Sequence, residues 1–286
     1  MKLNVMELKV KKCQKMNSIK LTWFSFWYAI AFLTRIPAIN LSKILKSHNK
    51  EIGQGSLYFY PLVGLLIGFL MLVVYSVCAW QVSNSYPLSY AGFDSSSLVI
   101  AALMLLVWCL VTGGLHLDGL ADAADAWVGG FGDKQRTLDI MKDPTIGPMG
   151  AMLLVVVLLL KFAALVVVVD KAQGFYLIGA VLAVPMLARF SILPLFYFTP
   201  YVREKGLGSN LKQSISPLLF MIVTVITLLL AVVFLQQKSI LILILCAAIL
   251  LWARNIMMQR IGGTTGDTAG ALIEVQEALL LCALVL

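Results

Sequence analysis

Charged side chains are scarce in this chain, and acidic ones are the scarcest. Only 13% of the 286 residues are charged and 60% are hydrophobic, whereas soluble domains carry about 25% charged and about 45–50% apolar residues. The mean hydropathy is +0.93. So little polar surface cannot cover a water-soluble globule. The composition therefore argues against a soluble enzyme, a nucleic-acid-binding module and a disordered chain.

The cysteines form no recognisable disulfide or zinc-binding pattern, and we do not expect the first residues to be a signal peptide. The chain's five cysteines are odd in number and none form a C-x-x-C pair, so we interpret them as packing thiols. Six lysines occupy residues 1–20, and the apolar stretch that begins at Leu21 has no small-residue cleavage site. This pattern predicts a retained, basic cytoplasmic N-terminus.

Long apolar runs, in contrast, are abundant. Runs close to the roughly 20 residues that cross a bilayer occur at 57–80, 97–116, 149–169, 173–199, 217–235, 239–253 and 269–286. They do not alternate as the strands of a membrane barrel would. We therefore predict an all-α, polytopic membrane helix bundle of about seven helices, formed by residues 1–286 as one domain.

The basic residues indicate the orientation of this bundle. Segments 36–56, 117–148 and 200–216 carry three Lys or Arg each and 254–268 carries two, while the intervening segments carry one or none. The positive-inside rule makes these four segments cytoplasmic, so most of the net charge of +8 reflects topology. Residues 21–39 are apolar with basic flanks on both sides, and we expect an interfacial or re-entrant segment there.

Nine of the 14 acids lie in residues 118–143 and 267–277, and six of these nine fall in two segments on this predicted cytoplasmic side. In the first, G-G-L-H-L-D-G-L-A-D-A-A-D (113–125), the spacing puts Asp118, Asp122 and Asp125 within about 60° of one another on a helix. Such carboxylates repel and favour a hard divalent cation such as Mg²⁺, which binds carboxylate and phosphate oxygens. A solvated acidic helix without a ligand and a transporter's Na⁺ or H⁺ site are the alternatives.

The second acidic segment is G-G-T-T-G-D-T-A-G-A-L-I-E-V-Q-E (262–277). On a helix, Asp267 and Glu274 share a face, and Gly270 leaves room between them. Asp267 could instead be a helix N-cap, but that role does not explain Glu274 and Glu277 inside an apolar helix, where ionisable groups are costly.

Basic residues near these acids are candidates for binding an anion. Arg136 and Lys142 lie in a glycine-punctuated loop that contains the Asp143 carboxylate, and Arg203 lies in a second basic loop. They could hold phosphate oxygens, or the loops could be plain connectors. Arg189, inside an apolar helix, requires a site or a carboxylate partner.

Two further residues have competing interpretations. His116 is either a hydrogen-bonded structural residue or a catalytic one, and we interpret Lys161 as a packing or snorkelling residue. Carboxylates, a divalent ion and nearby cations suit attack on a phosphoanhydride, with a free carboxylate deprotonating the attacking hydroxyl. The residues alone thus predict a membrane-embedded transferase that splits an activated nucleotide diphosphate.

Four motifs resemble those of the cobalamin synthase family, the adenosylcobinamide-GDP ribazoletransferases. They are the two acidic segments, I-M-K-D-x-x-I-G (140–147) and R-E-K-G-L-G (203–208), and F-L-T-R-I-P (32–37) and P-L-V-G-L-L-I-G (61–68) also fit. The resemblance implies an Mg²⁺-dependent enzyme of the bacterial inner membrane. It would join adenosylcobinamide-GDP to α-ribazole, or its 5′-phosphate, and release GMP at the cytoplasmic face.

Within this resemblance we assign roles by position. We expect metal ligands at Asp118, Asp122, Asp125 and Asp267, catalytic roles for Asp118, Asp122, Asp267, Glu274 and His116, and substrate contacts from Arg136, Lys142, Asp143, Arg203 and Arg189. One departure is that Pro144-Thr145 stand where family members often have Ser-Arg, so a phosphate-binding arginine is missing at residue 145.

The implied partners are the two small-molecule substrates and the lipid bilayer, without nucleic acid. A second copy of the chain and other corrinoid-pathway enzymes are left open as partners. A CDP-alcohol phosphatidyltransferase is the competing enzyme class, because it also uses a D-G-x-x-A motif; its arginine position is occupied here by Asp122. A cation-coupled transporter is the competing class outside enzymes.

Overall fold

The structure is a computed structural model that describes residues 18–37, 51–85, 95–171, 175–203 and 215–286. In these ranges the chain is helical apart from turns and one isolated β-bridge, which confirms the predicted all-α class. The basic segment before Ser18, residues 38–39 of the predicted interfacial segment and residues 204–208 of the second basic loop lie outside the described residues.

The longer described helices are numbered in chain order; residues 51–56 are also helical and continue through a 3-10 turn, Leu57–Phe59, into the second of them. They are α1 (Ser18–Leu33), α2 (Tyr60–Ser85), α3 (Ser95–Thr112), α4 (Leu115–Gly129), α5 (Lys134–Ile140), α6 (Pro148–Asp170), α7 (Phe175–Phe190), α8 (Ile192–Phe198), α9 (Pro217–Leu235), α10 (Ser239–Ile261) and α11 (Gly266–Val285).

Five helical stretches of the described chain are long and apolar enough to cross a membrane. One of them, Pro217–Ile261, is a hairpin with its break at Gln236, whose φ is 47°. Phe198 contacts both arms, since its ring lies 6.1 Å from that of Phe220 in α9 and its carbonyl accepts from Arg254 in α10. Helix α9 runs from Tyr58 to Gly179: the Ser216 amide, just before the helix, donates to the Tyr58 hydroxyl at 2.7 Å, and the end of the helix lies against Gly179. With both arms counted, and α3 included, the apolar helices are the predicted seven.

Helices α7 and α11 form the centre of the bundle. Of the most apolar residues, 78% are buried in the segment Tyr176–Phe198, which contains most of α7, and 67% are buried in α11. The corresponding share is 17% for the α9–α10 hairpin, which therefore presents most of its surface outward. Glycines let α2 cross α7 closely, since Gly64 abuts the Pro185–Met186 backbone and Gly68 abuts Val181. Small residues at such crossings are typical of membrane helices.

Helix α1 packs at one end of this bundle. It has 16 residues, a length of about 24 Å, which is short for a hydrocarbon core of about 30 Å. Its Phe26 ring contacts Phe59, and the Arg35 amide donates to the Val111 carbonyl at 2.7 Å. The helix therefore meets the end of α3, while its interfacial or re-entrant placement stays a prediction.

Candidate functional site

The site begins at a sharp bend after α3. Gly113 and Gly114 have φ values of 62° and 69°, which L side chains rarely adopt, and α4 leaves α3 at 84°. Helix α4 thus runs across the end of the bundle instead of continuing through it. The acids of α4 consequently lie outside the helices that we treat as membrane-spanning.

Two glycines then bring α4 against α11. A Cβ at Gly119 would lie 2.8 Å from the Asp267 carbonyl oxygen, and one at Gly270 would lie 3.3 Å from the Cα of His116. Because both contacts are with backbone, the helices can approach this closely only where a side chain is absent. The crossing places Asp118 and Asp122 beside Asp267, so the two acidic segments meet.

Arg203 reaches the same place through backbone pairing. Residues Tyr201 and Thr264 form a parallel β-bridge, in which the Val202 amide donates to the Thr264 carbonyl at 2.9 Å. Arg203 Nη2 then lies 2.6 Å from Asp267 Oδ2 and donates to the Met141 carbonyl at 3.2 Å. Of the predicted cationic contacts, Arg203 is the one that the structure brings to the acids.

The start of α11 leaves Asp267 available for this role. The N-cap of the helix is Thr265, whose hydroxyl accepts from the Thr268 amide, while the Thr268 hydroxyl accepts from the Thr265 amide. This reciprocal pair is a capping box. The alternative that Asp267 serves as the N-cap is therefore wrong.

The acids at the crossing carry more negative charge than Arg203 balances. Partial burial, together with the nearby Asp118 and Asp267 carboxylates, raises the pKa of Asp122 to about 6. Such crowding favours a bound cation. The described residues contain no ready-made group of three or more His, Cys, Asp or Glu side chains that could hold a metal. Mg²⁺ commonly takes one or two carboxylates and completes its shell with phosphate and water, a donor set that Asp118 and Asp122 fit.

A cavity of about 220 Å³ opens beside these acids. Asp118, Asp267 and Arg203 lie on its wall with His116 and Tyr201, and the rest of the lining is mostly apolar: Phe32, Leu33, Tyr60, Leu115, Ile192, Phe196, Gly266, Ala269, Gly270 and Ile273. His116 is 3% exposed, and neither ring nitrogen has a hydrogen-bond partner among the described residues.

Asp125, a predicted metal ligand, is engaged elsewhere. Its Oδ2 accepts from the Gly147 amide at 2.7 Å and its Oδ1 from the Gly150 amide at 2.9 Å. These amides belong to the first turn of α6, where free N–H groups need acceptors. The structure therefore gives both Asp125 oxygens a capping role, and its predicted metal contact stays a prediction.

A second ionic cluster lies deeper, between α6, α7 and α11. Lys161 Nζ is 2.5 Å from Glu274 Oε2 and also pairs with Glu277, which pairs with Arg189. All four side chains are at most 4% exposed, and Lys161 Nζ also lies 4.6 Å from the centre of the Trp108 ring. We call these four residues the buried quartet.

The buried quartet corrects three predicted placements. Glu274 does not lie beside Asp267 at the site, because Lys161 holds it two turns deeper in α11. Arg189 forms an ion pair with the Glu277 carboxylate, which was the alternative to a place in the site, and it does not line the cavity. Lys161 is no snorkelling residue, since its ammonium is buried between two carboxylates. Unpaired charges at this depth would be costly.

The remaining residues predicted to contact substrate lie on the exposed helix α5 or just after it. Arg136 stacks over Phe131 with 5.2 Å from its guanidinium carbon to the ring centre, and Lys142 pairs with Asp139 at 2.8 Å. Hydrogen bonds from the Thr145 hydroxyl and amide lower the pKa of Asp143. None of Arg136, Lys142 and Asp143 lines the cavity, so the structure does not bring them to the carboxylates.

Sequence reasoning missed the apolar part of the site. Phe32, Tyr60, Ile192 and Phe196 line the cavity, yet apolar residues in an apolar chain give no local signal. The only available clue was F-L-T-R-I-P (32–37), a motif that fits the family without containing an acid.

Comparisons with known proteins agree with the resemblance. The family model described as cobalamin-5-phosphate synthase matches residues 25–285. An adenosylcobinamide-GDP ribazoletransferase of Pseudomonas fluorescens is 43% identical over 90% of this chain and 96% of its own length. Proteins of the same name from Pseudomonas entomophila and Acinetobacter baumannii are also 43% identical, over 91% and 90% of this chain and 98% and 94% of theirs.

No solved structure matches the chain. The family match gives no support to the phosphatidyltransferase and transporter alternatives. It spans both acidic segments, the bend between α3 and α4 and the β-bridge that carries Arg203. The chain therefore belongs to the cobalamin-5-phosphate synthase family.

Proposed function

We propose that the chain is an Mg²⁺-dependent adenosylcobinamide-GDP ribazoletransferase of the inner membrane. It joins adenosylcobinamide-GDP to α-ribazole, or to the 5′-phosphate of α-ribazole, and releases GMP. The chemical class follows from the relatives' name, which specifies the transferred and accepting groups. The phosphate chemistry agrees with the charges at the site.

One observation carries the proposal: three carboxylates and one guanidinium meet beside a largely apolar cavity, and two of the carboxylates line it together with the guanidinium. Asp118, Asp122 and Asp267 come from two helices that are far apart in sequence, and Arg203 is paired with Asp267. A negatively charged site alone would repel a pyrophosphate. An arginine and a divalent ion remove that repulsion.

We assign the binding of substrate phosphate to Arg203 and the holding of Mg²⁺ to Asp118 and Asp122. When bound, the ion supplies positive charge that stabilises the reacting pyrophosphate and the departing GMP. Arg203 is placed to act on the same phosphates, because its guanidinium reaches the acids while the amide of the preceding residue, Val202, is hydrogen-bonded to the Thr264 carbonyl. A planar guanidinium suits two oxygens of one phosphate.

In the transfer itself, an α-ribazole hydroxyl oxygen bonds to the phosphorus on the cobinamide side. The bond from that phosphorus to the bridging oxygen breaks, and GMP leaves with this oxygen and both electrons. The hydroxyl proton passes to a carboxylate, for which we assign Asp267 Oδ1, since Arg203 engages Oδ2. A general base within hydrogen-bonding reach is the geometric requirement for this step.

We place the site at the cytoplasmic face of a multi-pass protein. The acids lie within segments 117–148 and 254–268, which are among the segments with the most Lys and Arg. Under the positive-inside rule this end of the bundle faces the cytoplasm, which is where nucleotide-activated substrates are made.

The test is an assay of membranes containing the chain with adenosylcobinamide-GDP and α-ribazole. We expect equal amounts of adenosylcobalamin and GMP in the presence of Mg²⁺, and none after chelation with EDTA until Mg²⁺ is restored. Absence of both products from correctly inserted protein would reject the activity. Full activity in EDTA would reject only the metal requirement.

A further inference from the structure

The cavity beside the acids has two kinds of wall. Its lining contains the charged groups Asp118, Asp267 and Arg203 and also the aromatic and aliphatic side chains of α1, α2 and α8. Phe32 and the Tyr60 ring lie 6.3 Å apart and are stacked. An apolar pocket with a few convergent polar groups is the usual form of a small-molecule site.

Its size limits what can enter. A volume of about 220 Å³ lies below the roughly 300–1,000 Å³ typical of sites that enclose drug-sized ligands. A flat bicyclic base with part of its ribose matches this space, while a corrin macrocycle with its side chains is several times larger. The two substrates of the proposed reaction therefore cannot use the cavity interchangeably.

His116 supplies an independent sign of a ligand. Its imidazole lines the cavity at 3% exposure, and its Nδ1 and Nε2 lack hydrogen-bond partners among the described residues. Leaving a buried polar group without a hydrogen-bond partner is unfavourable. A ligand with hydroxyls or a ring nitrogen would provide the missing partner.

We propose that this cavity is the α-ribazole subsite and that His116, Phe32, Tyr60 and Phe196 select the nucleoside. The proposal rests on the function proposed above. The benzimidazole base lies among the aromatic rings. A hydroxyl or ring nitrogen of the nucleoside hydrogen-bonds with His116. The reacting hydroxyl of the nucleoside points to the wall that carries Asp118 and Asp267. The corrin ring of the other substrate stays outside the cavity, with only its diphosphate reaching the acids.

Two variants test the subsite through different contacts. His116→Phe keeps a ring and removes both nitrogens, and Phe196→Ala removes one aromatic wall. We expect each to raise the KM for α-ribazole about tenfold or more, as the loss of one hydrogen bond or one aromatic contact implies. The KM for adenosylcobinamide-GDP should stay within about twofold.

Phe198→Ala is the matched control. Phe198 lies two residues from Phe196 on α8, is 57% exposed and does not line the cavity. The same substitution there should leave both KM values unchanged. A variant that raises the KM for adenosylcobinamide-GDP and spares that for α-ribazole would overturn the proposal, because the cavity would then hold the corrinoid substrate.

A binding measurement separates this inference from the proposed function. Isothermal titration of the purified full chain with α-ribazole alone should show binding that weakens in His116→Phe and in Phe196→Ala but not in Phe198→Ala. This result would support the subsite even if the transfer assay gave no product, which would reject the activity alone. Unchanged α-ribazole affinity in both cavity variants, beside normal transfer in the wild type, would reject the subsite alone.

Discussion

Helix α11 contributes acids to two ionic clusters that differ in charge balance and in exposure. In its first turn, Asp267 joins Asp118 and Asp122 in a partly exposed crossing, where Arg203 is the one cation paired with them among the described residues. Further along, Glu274 and Glu277 meet two cations in the buried quartet. The balanced cluster has no charge left for a ligand, while the unbalanced one does. We therefore expect charge balance to distinguish structural from functional acids in this helix.

The largest effect should come from removing charge at the unbalanced cluster. Asp118→Asn keeps the size of an exposed side chain and removes its charge, so we expect turnover to fall about 10²–10⁴-fold with unchanged thermal stability. The measurement is the transfer rate in membranes, with stability followed by thermal unfolding in detergent.

Asp139→Asn is the matched control for this change. Asp139 is an exposed acid paired with Lys142 on α5, away from the cavity. Its substitution should alter turnover less than twofold, since its carboxylate is exposed and does not line the cavity. Comparable losses in Asp118→Asn and Asp139→Asn would remove the distinction between crossing acids and surface acids.

The balanced cluster should respond in stability instead. Glu277→Gln leaves Arg189 buried without a carboxylate, and we expect the free energy of unfolding to fall by about 3–5 kcal/mol. Thermal unfolding and the yield of inserted protein report this loss.

A second substitution tests whether charge imbalance causes the loss of stability in Glu277→Gln. Adding Arg189→Met to Glu277→Gln removes the unpaired guanidinium and leaves Lys161 with Glu274, so much of the lost stability should return. If the double variant is less stable than Glu277→Gln alone, packing and not charge balance holds the quartet together.

A smaller effect is expected at Asp125. Asp125→Ala removes the acceptor of two amides at the start of α6, and helix caps are worth about 0.5–2 kcal/mol. Urea or thermal unfolding should detect this decrease, with turnover per folded molecule reduced less than tenfold. Full stability combined with lost turnover would instead establish Asp125 as part of the unbalanced cluster.

The helices could be predicted from the sequence because membrane spans depend on local composition. Apolar runs gave seven helices, and Gln236–Lys238 marked the turn of the α9–α10 hairpin. The direction of α4 could not be obtained in this way. Its acids follow an apolar run without a gap, and only the conformations of Gly113 and Gly114 produce the 84° bend.

The site was predictable only in part, because some of its residues are brought together from distant parts of the sequence. Helical spacing correctly grouped Asp118 with Asp122, but it also grouped Asp267 with Glu274, which lies two turns further along the same helix. Lys161 is 113 residues away from Glu274 in sequence, and no local pattern reveals such a partner. Arg203 likewise depends on the β-bridge between Tyr201 and Thr264.

The buried quartet has a consequence for the order in which the chain assembles in its membrane. Lys161 and Arg189 belong to α6 and α7, which emerge from the ribosome before α11 brings their carboxylates. A lone charge inside an apolar membrane segment is costly. We therefore expect helices α6 and α7 to be poorly accommodated in lipid until α11 arrives. The arrival of α11 neutralises both cations and brings Asp267 to α4, so the same event that completes insertion also completes the site.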